Sequence, residues 1–129
     1  MNATTATTAT DAHRAWEAAF QARDVDRLVD LYEPDAVFVA QPGQLVRGAE
    51  QIRGVLQGFL AMGGRFSIAS TRAVEGDDLA IVYSKWTLTG ARDGDGNDVE
   101  LSHETTDVIR RQPDGRWLFA IDNPYGVAE

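Results

Sequence analysis

The sequence predicts an α+β domain whose helices come first and whose strands follow. Two observations carry this. Apolar residues recur at spacings of three and four over the first third of the chain, and strand-like alternation fills the last half, where EGDD, ARDGDGND and QPDG mark turns. A sheet that follows its helices in this way is expected to curl around them or to cover them. With 129 residues and no internal repeat, one domain with one core is expected.

Residues 2–10 hold only Asn, Ala and Thr, which bury little surface. They predict a flexible arm over 1–10, ahead of a single domain over 11–129. Asp11 can cap a first helix that runs to Ala22, with Ala12, Ala15, Trp16, Ala19 and Phe20 on its apolar stripe. VDRLVDLY predicts a second, short helix with Leu28, Leu31 and Tyr32 on one face, which Pro34 helps to end. The period then changes. DAVFVAQPG and QLVRG read as a strand and its short return, and a third helix is predicted from about Ala49 to Leu60, with Ile52 and Leu56 inward and Gly63-Gly64 as its stop. Four strands follow: RFSIASTRAVEG, DLAIVYSKWTLTG, VELSHETTDVIRR and RWLFAIDNP.

Alternation assigns the faces of these strands. Ala80, Val82, Ser84, Trp86 and Leu88 share one face, and Glu104 and Thr106 are read as joining Val82, Ser84 and Trp86 opposite the helices. In the last strand Leu118, Ala120 and Asp122 fall together, with Trp117, Phe119 and Ile121 on the other side. Both sides of the sheet carry apolar bulk. Three helices cover one side, so the outer face is expected to meet a second copy in a homodimer.

Composition removes several classes of function. A formal charge of −8 argues against partners that are themselves polyanions, so neither nucleic acid nor anionic membrane is expected. The chain has no cysteine, hence no disulfide, thiolate nucleophile or cysteine metal site. No stretch approaches the roughly 18 apolar residues of a membrane span, and MNATTATTATDAH lacks the pattern of an export leader, which together predict a cytoplasmic protein. Gly-rich phosphate loops, HExxH and G-x-S-x-G are absent. DGDGND reads as a hairpin turn, because its glycines and acids are out of register with a calcium loop. Neither metal nor cofactor is expected.

The candidate chemistry lies between helices and sheet. Trp16 and Tyr32 offer bulk with a polar edge, and Val82, Ser84, Trp86, Thr106 and Ala120 are candidate pocket walls. Glu104 and Asp122 are the candidate catalytic acids. A carboxyl that faces an apolar interior has its pKa raised and can donate or share a proton; one on a wet face is merely solvated. For Asp122 a strand-end cap is the competing reading. His13, near the start of the first helix, is expected at the surface, and His103 in the sheet or an interface.

AWEAAFQARDVDRLVDLYEPDAVFV, then GAEQIRGVLQGF, then TTDVIRRQPDGRWLFAIDNP, spanning 12–124, resemble the nuclear transport factor 2-like superfamily, in particular its SnoaL-like and ketosteroid isomerase-like branch. The resemblance implies a cystatin-like α+β roll: three N-terminal helices packed in a strongly curved mixed, mainly antiparallel sheet that forms a conical pocket and dimerises through its outer face. It also implies site positions. The isomerases' general-base aspartate is matched by Ala40, which cannot take a proton, and their oxyanion tyrosine by Trp16. Glu104 resembles their protonated aspartate and Tyr32 their supporting tyrosine.

Two functions stand open. One is a cofactor-independent isomerase, cyclase or lyase that uses a pocket carboxylate on a small hydrophobic carbonyl or cyclic compound. The other is a non-catalytic dimeric module for binding a small molecule or for structure.

Overall fold

The computed structural model describes residues 8–128, apart from the side chain of Ser70. The first helix, α1 (Asp11–Gln21), turns Ala12, Ala15, Ala19 and Phe20 inward, and it buries His13 beside them. It ends where Arg23 adopts a left-handed backbone (φ 57°), so that the N–H groups of Arg23 and Asp24 reach back to the carbonyls of Phe20 and Ala19. Asp24 then caps α2 (Val25–Val29) by accepting from the Arg27 N–H at 3.2 Å. The same short link closes one helix and opens the next. Of the arm expected over 1–10, residues 1–7 lie outside the described residues, and Ala9 is fully buried.

The strand β1 (Tyr32–Gln41) begins earlier than the sequence suggests. Tyr32 is its first residue and not the end of a helix, because the Leu31 carbonyl accepts the Phe119 N–H at 2.8 Å and draws the chain into the sheet. A tight hairpin leads to β2 (Gln44–Arg47), and then α3 (Ala49–Met62) buries Ile52 and Leu56. The remaining strands are β3 (Arg65–Glu75), β4 (Leu79–Arg92), β5 (Asp98–Arg111) and β6 (Trp117–Asp122). They form one mixed sheet in the order β2-β1-β6-β5-β4-β3, in which only the β1–β6 pair is parallel.

The α+β class and the mixed sheet hold, but the strongly curved roll with a conical pocket does not form. The sheet is open, with β2 and β3 as its edges. Aromatic side chains occupy the layer between α1 and the sheet: Trp16 packs against Phe20 (ring centroids 5.4 Å) and Phe66 (4.5 Å), and Phe66 against Trp86 (5.5 Å). They leave a cavity of about 40 Å3 where a cone would have left an open mouth. The edge of β3 is covered by α1, whose Glu17 and Gln21 accept from the backbone N–H groups of Ile68 and Phe66 at 2.8 and 3.2 Å. No described helix is long and apolar enough to cross a membrane.

Two bulges decide which side chains face α1. In β4 the register shifts between Leu88 and Ala91, so that Trp86 pairs with His103 and Ser84 with Thr105. Extending the Ala91–Val99 register without that shift would have set Trp86 opposite Glu104. In β6 the register shifts between Phe119 and Ile121, which inserts Ala120 as an extra residue and brings Phe119 and Asp122 to one side. A slip of one residue exchanges the faces of a strand.

Candidate functional site

The cavity is lined largely by aromatic rings, among them Trp16, Phe38, Phe66, Trp86 and Phe119. Its polar edge consists of His13 from α1, Thr105 and Asp107 from β5, and Asp122 from β6. An antiparallel pair sends facing residues to the same side, so Thr105 and Asp107 arrive there as the partners of Ser84 and Val82. The helix supplies His13 from one turn before Trp16, and both side chains point at the sheet.

Asp107 is fully buried and accepts from Thr105 Oγ1 at 2.6 Å and from the Asn123 backbone N–H at 2.7 Å, and His13 Nε2 stands in a short contact with it. Asp122 is also buried and stands in hydrogen-bond relation to Asp107. The Tyr32 hydroxyl donates to Asp122 Oδ2 at 2.5 Å and itself accepts from the Trp16 indole N–H at 2.9 Å. The result is one chain of polar groups, Trp16–Tyr32–Asp122–Asp107–His13, enclosed by apolar side chains.

Burial sets the protonation of this chain. It pushes Asp107 up to about 6, and the donors around the carboxylate limit the rise. Asp122 is raised well above the ordinary carboxylate range, first through burial and then through the charge of Asp107. Burial also raises the Tyr32 hydroxyl, with the Asp122 charge in support. His13 is pulled down to about 4 by burial, against the opposing field of Asp122. Its bond to Asp107 favours the imidazolium, but that carboxylate is already held by other donors; burial prevails and the ring is neutral at pH 7. Of the two carboxyls, Asp107, whose donors limit its rise, is the more readily ionised, and Asp122 is the one burial biases further toward the acid form.

The sequence-predicted residues divide clearly by position. Asp122, Trp16 and Trp86 line the cavity, and Tyr32 stands immediately behind Asp122. Val82 and Ser84 are buried on the inner face of β4, where Ser84 bonds to Thr71 at 3.0 Å and Val82 belongs to the core. Glu104 and Thr106 are not brought to the cavity: Glu104 is exposed on the other face of β5, turned there by the β4 bulge. Ala120, the extra residue of the β6 bulge, borders an outer groove with Ile121. His13, expected at the surface, is buried. Asp107 belongs to the face of β5 that the sequence reading turns away from the helices; an aspartate between Thr105 and Ile109 on one strand face is its signal in the sequence. His103 packs on Trp86 and Tyr125 at ring distances of 5.6 and 5.1 Å. In the DGDGND turn the Asp93 carboxylate accepts the Asp95 and Asn97 N–H groups, each at 2.9 Å. Among the described residues no cluster of three or more His, Cys, Asp or Glu side chains is placed to hold a metal ion.

Solved structures share this architecture. A ketosteroid isomerase-like protein from Erwinia carotovora atroseptica superposes with a TM-score of 0.76 at 20% identity, over 91% of this chain and 92% of that one. A provisionally named calcium/calmodulin-dependent protein kinase II association domain from Xanthomonas campestris gives 0.73 at 23% identity, over 100% and 99%. A conserved protein from Planctomyces limnophilus gives 0.70 at 23%, over 83% and 84%. At such identities the likeness is one of fold. Among curated proteins none matches the chain. The model of the SnoaL-like domain matches residues 13–119, a stretch that runs from the buried histidine to the last strand, and the chain belongs to that family.

Proposed function

We propose that this protein is a cofactor-independent proton-transfer enzyme, an isomerase or lyase acting on a small, apolar carbonyl or cyclic compound. One observation carries the reading: two buried carboxyls, Asp107 and Asp122, and the imidazole of His13 meet at the edge of an aromatic cavity. Such a set separates the roles of proton donor and proton acceptor. Asp122, which burial biases toward the acid form, donates to oxygen that becomes negative as the substrate loses a proton. His13, held by Asp107, receives that proton, and its return at another atom completes an isomerisation. Tyr32 and Trp16 stand behind Asp122 and keep it oriented.

The test is proton exchange from solvent D2O into a panel of small cyclic ketones and enols, followed by NMR. The wild type is expected to accelerate exchange, and Asp122→Asn to lower that acceleration about 10²–10⁴-fold. Asparagine can still accept from Tyr32, so the variant should keep its fold and its melting temperature at pH 8. No acceleration by the wild type over buffer would sink the enzymatic reading. It would favour a binding module, a reading supported by the number of internal donors already spent on Asp107.

A further inference from the structure

His13 carries an atom that the fold does not explain. Its Nε2 is bound to Asp107, yet Nδ1 is buried and meets no hydrogen-bonding group of the protein. Among the described residues it is the one buried side-chain N or O atom in that state. An unmatched buried acceptor costs on the order of 1–3 kcal/mol, so a native chain retains one where something else satisfies it. The ring that bears it forms part of the cavity wall. Asp107 also settles its chemistry. A carboxylate can only accept, so Nε2 keeps the hydrogen and Nδ1 the lone pair.

We infer that the cavity binds a small, neutral ring compound that presents an N–H or O–H to Nδ1 of His13. Each attribute has its own ground. A volume of about 40 Å3 has room for roughly three waters, which is the scale of a single five-membered ring. The faces of Trp16, Phe66 and Trp86 favour a flat, apolar body. Asp107 bears a negative charge that repels an anion, and it is already held by Thr105, Asn123 and His13. An ammonium ion would therefore give up its hydration, at several kcal/mol, for a carboxylate with few lone pairs left.

This deepens the proton-transfer reading and rests on the same site. The mobile proton starts on a ring nitrogen or oxygen, passes to Nδ1, and a proton returns to a different ring atom, so that substrate and product are tautomers of one composition. No oxidant, reductant or second substrate is needed.

Three probes separate the attributes: pyrrole, which has the donor; furan, the same ring without it; and pyrrolidine, a ring of similar size that is protonated at neutral pH. Each is titrated into the full chain at pH 7.5, with tryptophan fluorescence and the ¹⁵N signals of His13 as readouts. Pyrrole is expected to bind at least about tenfold more tightly than either of the others, the scale of one hydrogen bond. It should move the Nδ1 signal, and furan should not. His13→Phe should lower pyrrole to the level of furan and leave furan unchanged; should that variant not fold, the wild-type titrations and the ¹⁵N shift decide. Equal binding of pyrrole and furan, or tightest binding of protonated pyrrolidine, overturns the inference. Selective binding of pyrrole without proton exchange on any ring compound would uphold it while removing the enzymatic reading.

Discussion

Asp107 and His13 answer to pH in opposite senses. Asp107 is raised from 3.8 to about 6, so the stability it contributes is present below 3.8 and is lost as pH rises to about 6. His13 is lowered from 6.5 to about 4, so its contribution is present above 6.5 and is lost as pH falls to about 4. Each amounts to something on the order of 3 kcal/mol, and over their shared window they nearly cancel. Asp107→Asn removes one side of this balance. Urea midpoints of the variant are expected to climb between pH 4.5 and 6.5, where those of the wild type change little; parallel profiles for the two proteins would contradict the assignment. At this scale the sequence was partly legible. Asp122 could be placed because it ends a hydrophobic strand, and Trp16 because it lies on the stripe of α1. His13 could not, because a histidine beside a helix start is usually wet, and only a carboxylate 94 residues away makes its burial tolerable.

At the scale of elements, helices, strands and turns followed from periodicity and punctuation, whereas their faces did not. Alternation gives two sets of residues per strand, and a bulge decides which set is buried. The bulge in β4 rests on Gly90 (φ 70°) and lies against Gly64 (φ 86°), where a Cβ would stand 2.6 Å from the Thr89 carbonyl and 2.9 Å from the Ala91 nitrogen. Gly64→Ala is therefore expected to cost about 2–3 kcal/mol. The loss should be visible as a lower urea midpoint, and a shifted register should appear as changed amide signals along β4 and β5. Gly58 offers the contrast. It lies inside α3 with nothing near its absent Cβ, so Gly58→Ala should stabilise by about 0.5–1 kcal/mol in the same titration. A stabilising Gly64→Ala would mean that this junction does not hold the register.

Across the whole molecule, the outer face of the sheet carries a row of β-branched residues that crosses five strands: Val74, Ile81, Val108, Ile121 and Val37 stand opposite one another in sequence of pairing. Val74, Ile81 and Ile121 are 63%, 40% and 42% exposed. We propose that a second copy covers this row. A row on one face can meet its own image across a two-fold axis, which is the economical way to hide it. Sedimentation equilibrium is expected to give twice 14.1 kDa for the wild type and 14.1 kDa for Ile81→Glu with its fold intact. A wild type that is monomeric at every concentration removes the proposal. The backbone amide of Asn123 donates to Asp107 from just beyond β6. Strand β6 is the last of the sheet and pairs in parallel with β1, nearly ninety residues earlier, a contact that loop entropy delays. Asp107 has this donor and Asp122 its burial only where β6 is paired in the sheet. In an unfolded chain both aspartates keep the ordinary carboxylate range, so a raised titration of Asp107 reports that β6 and α1 have closed around it.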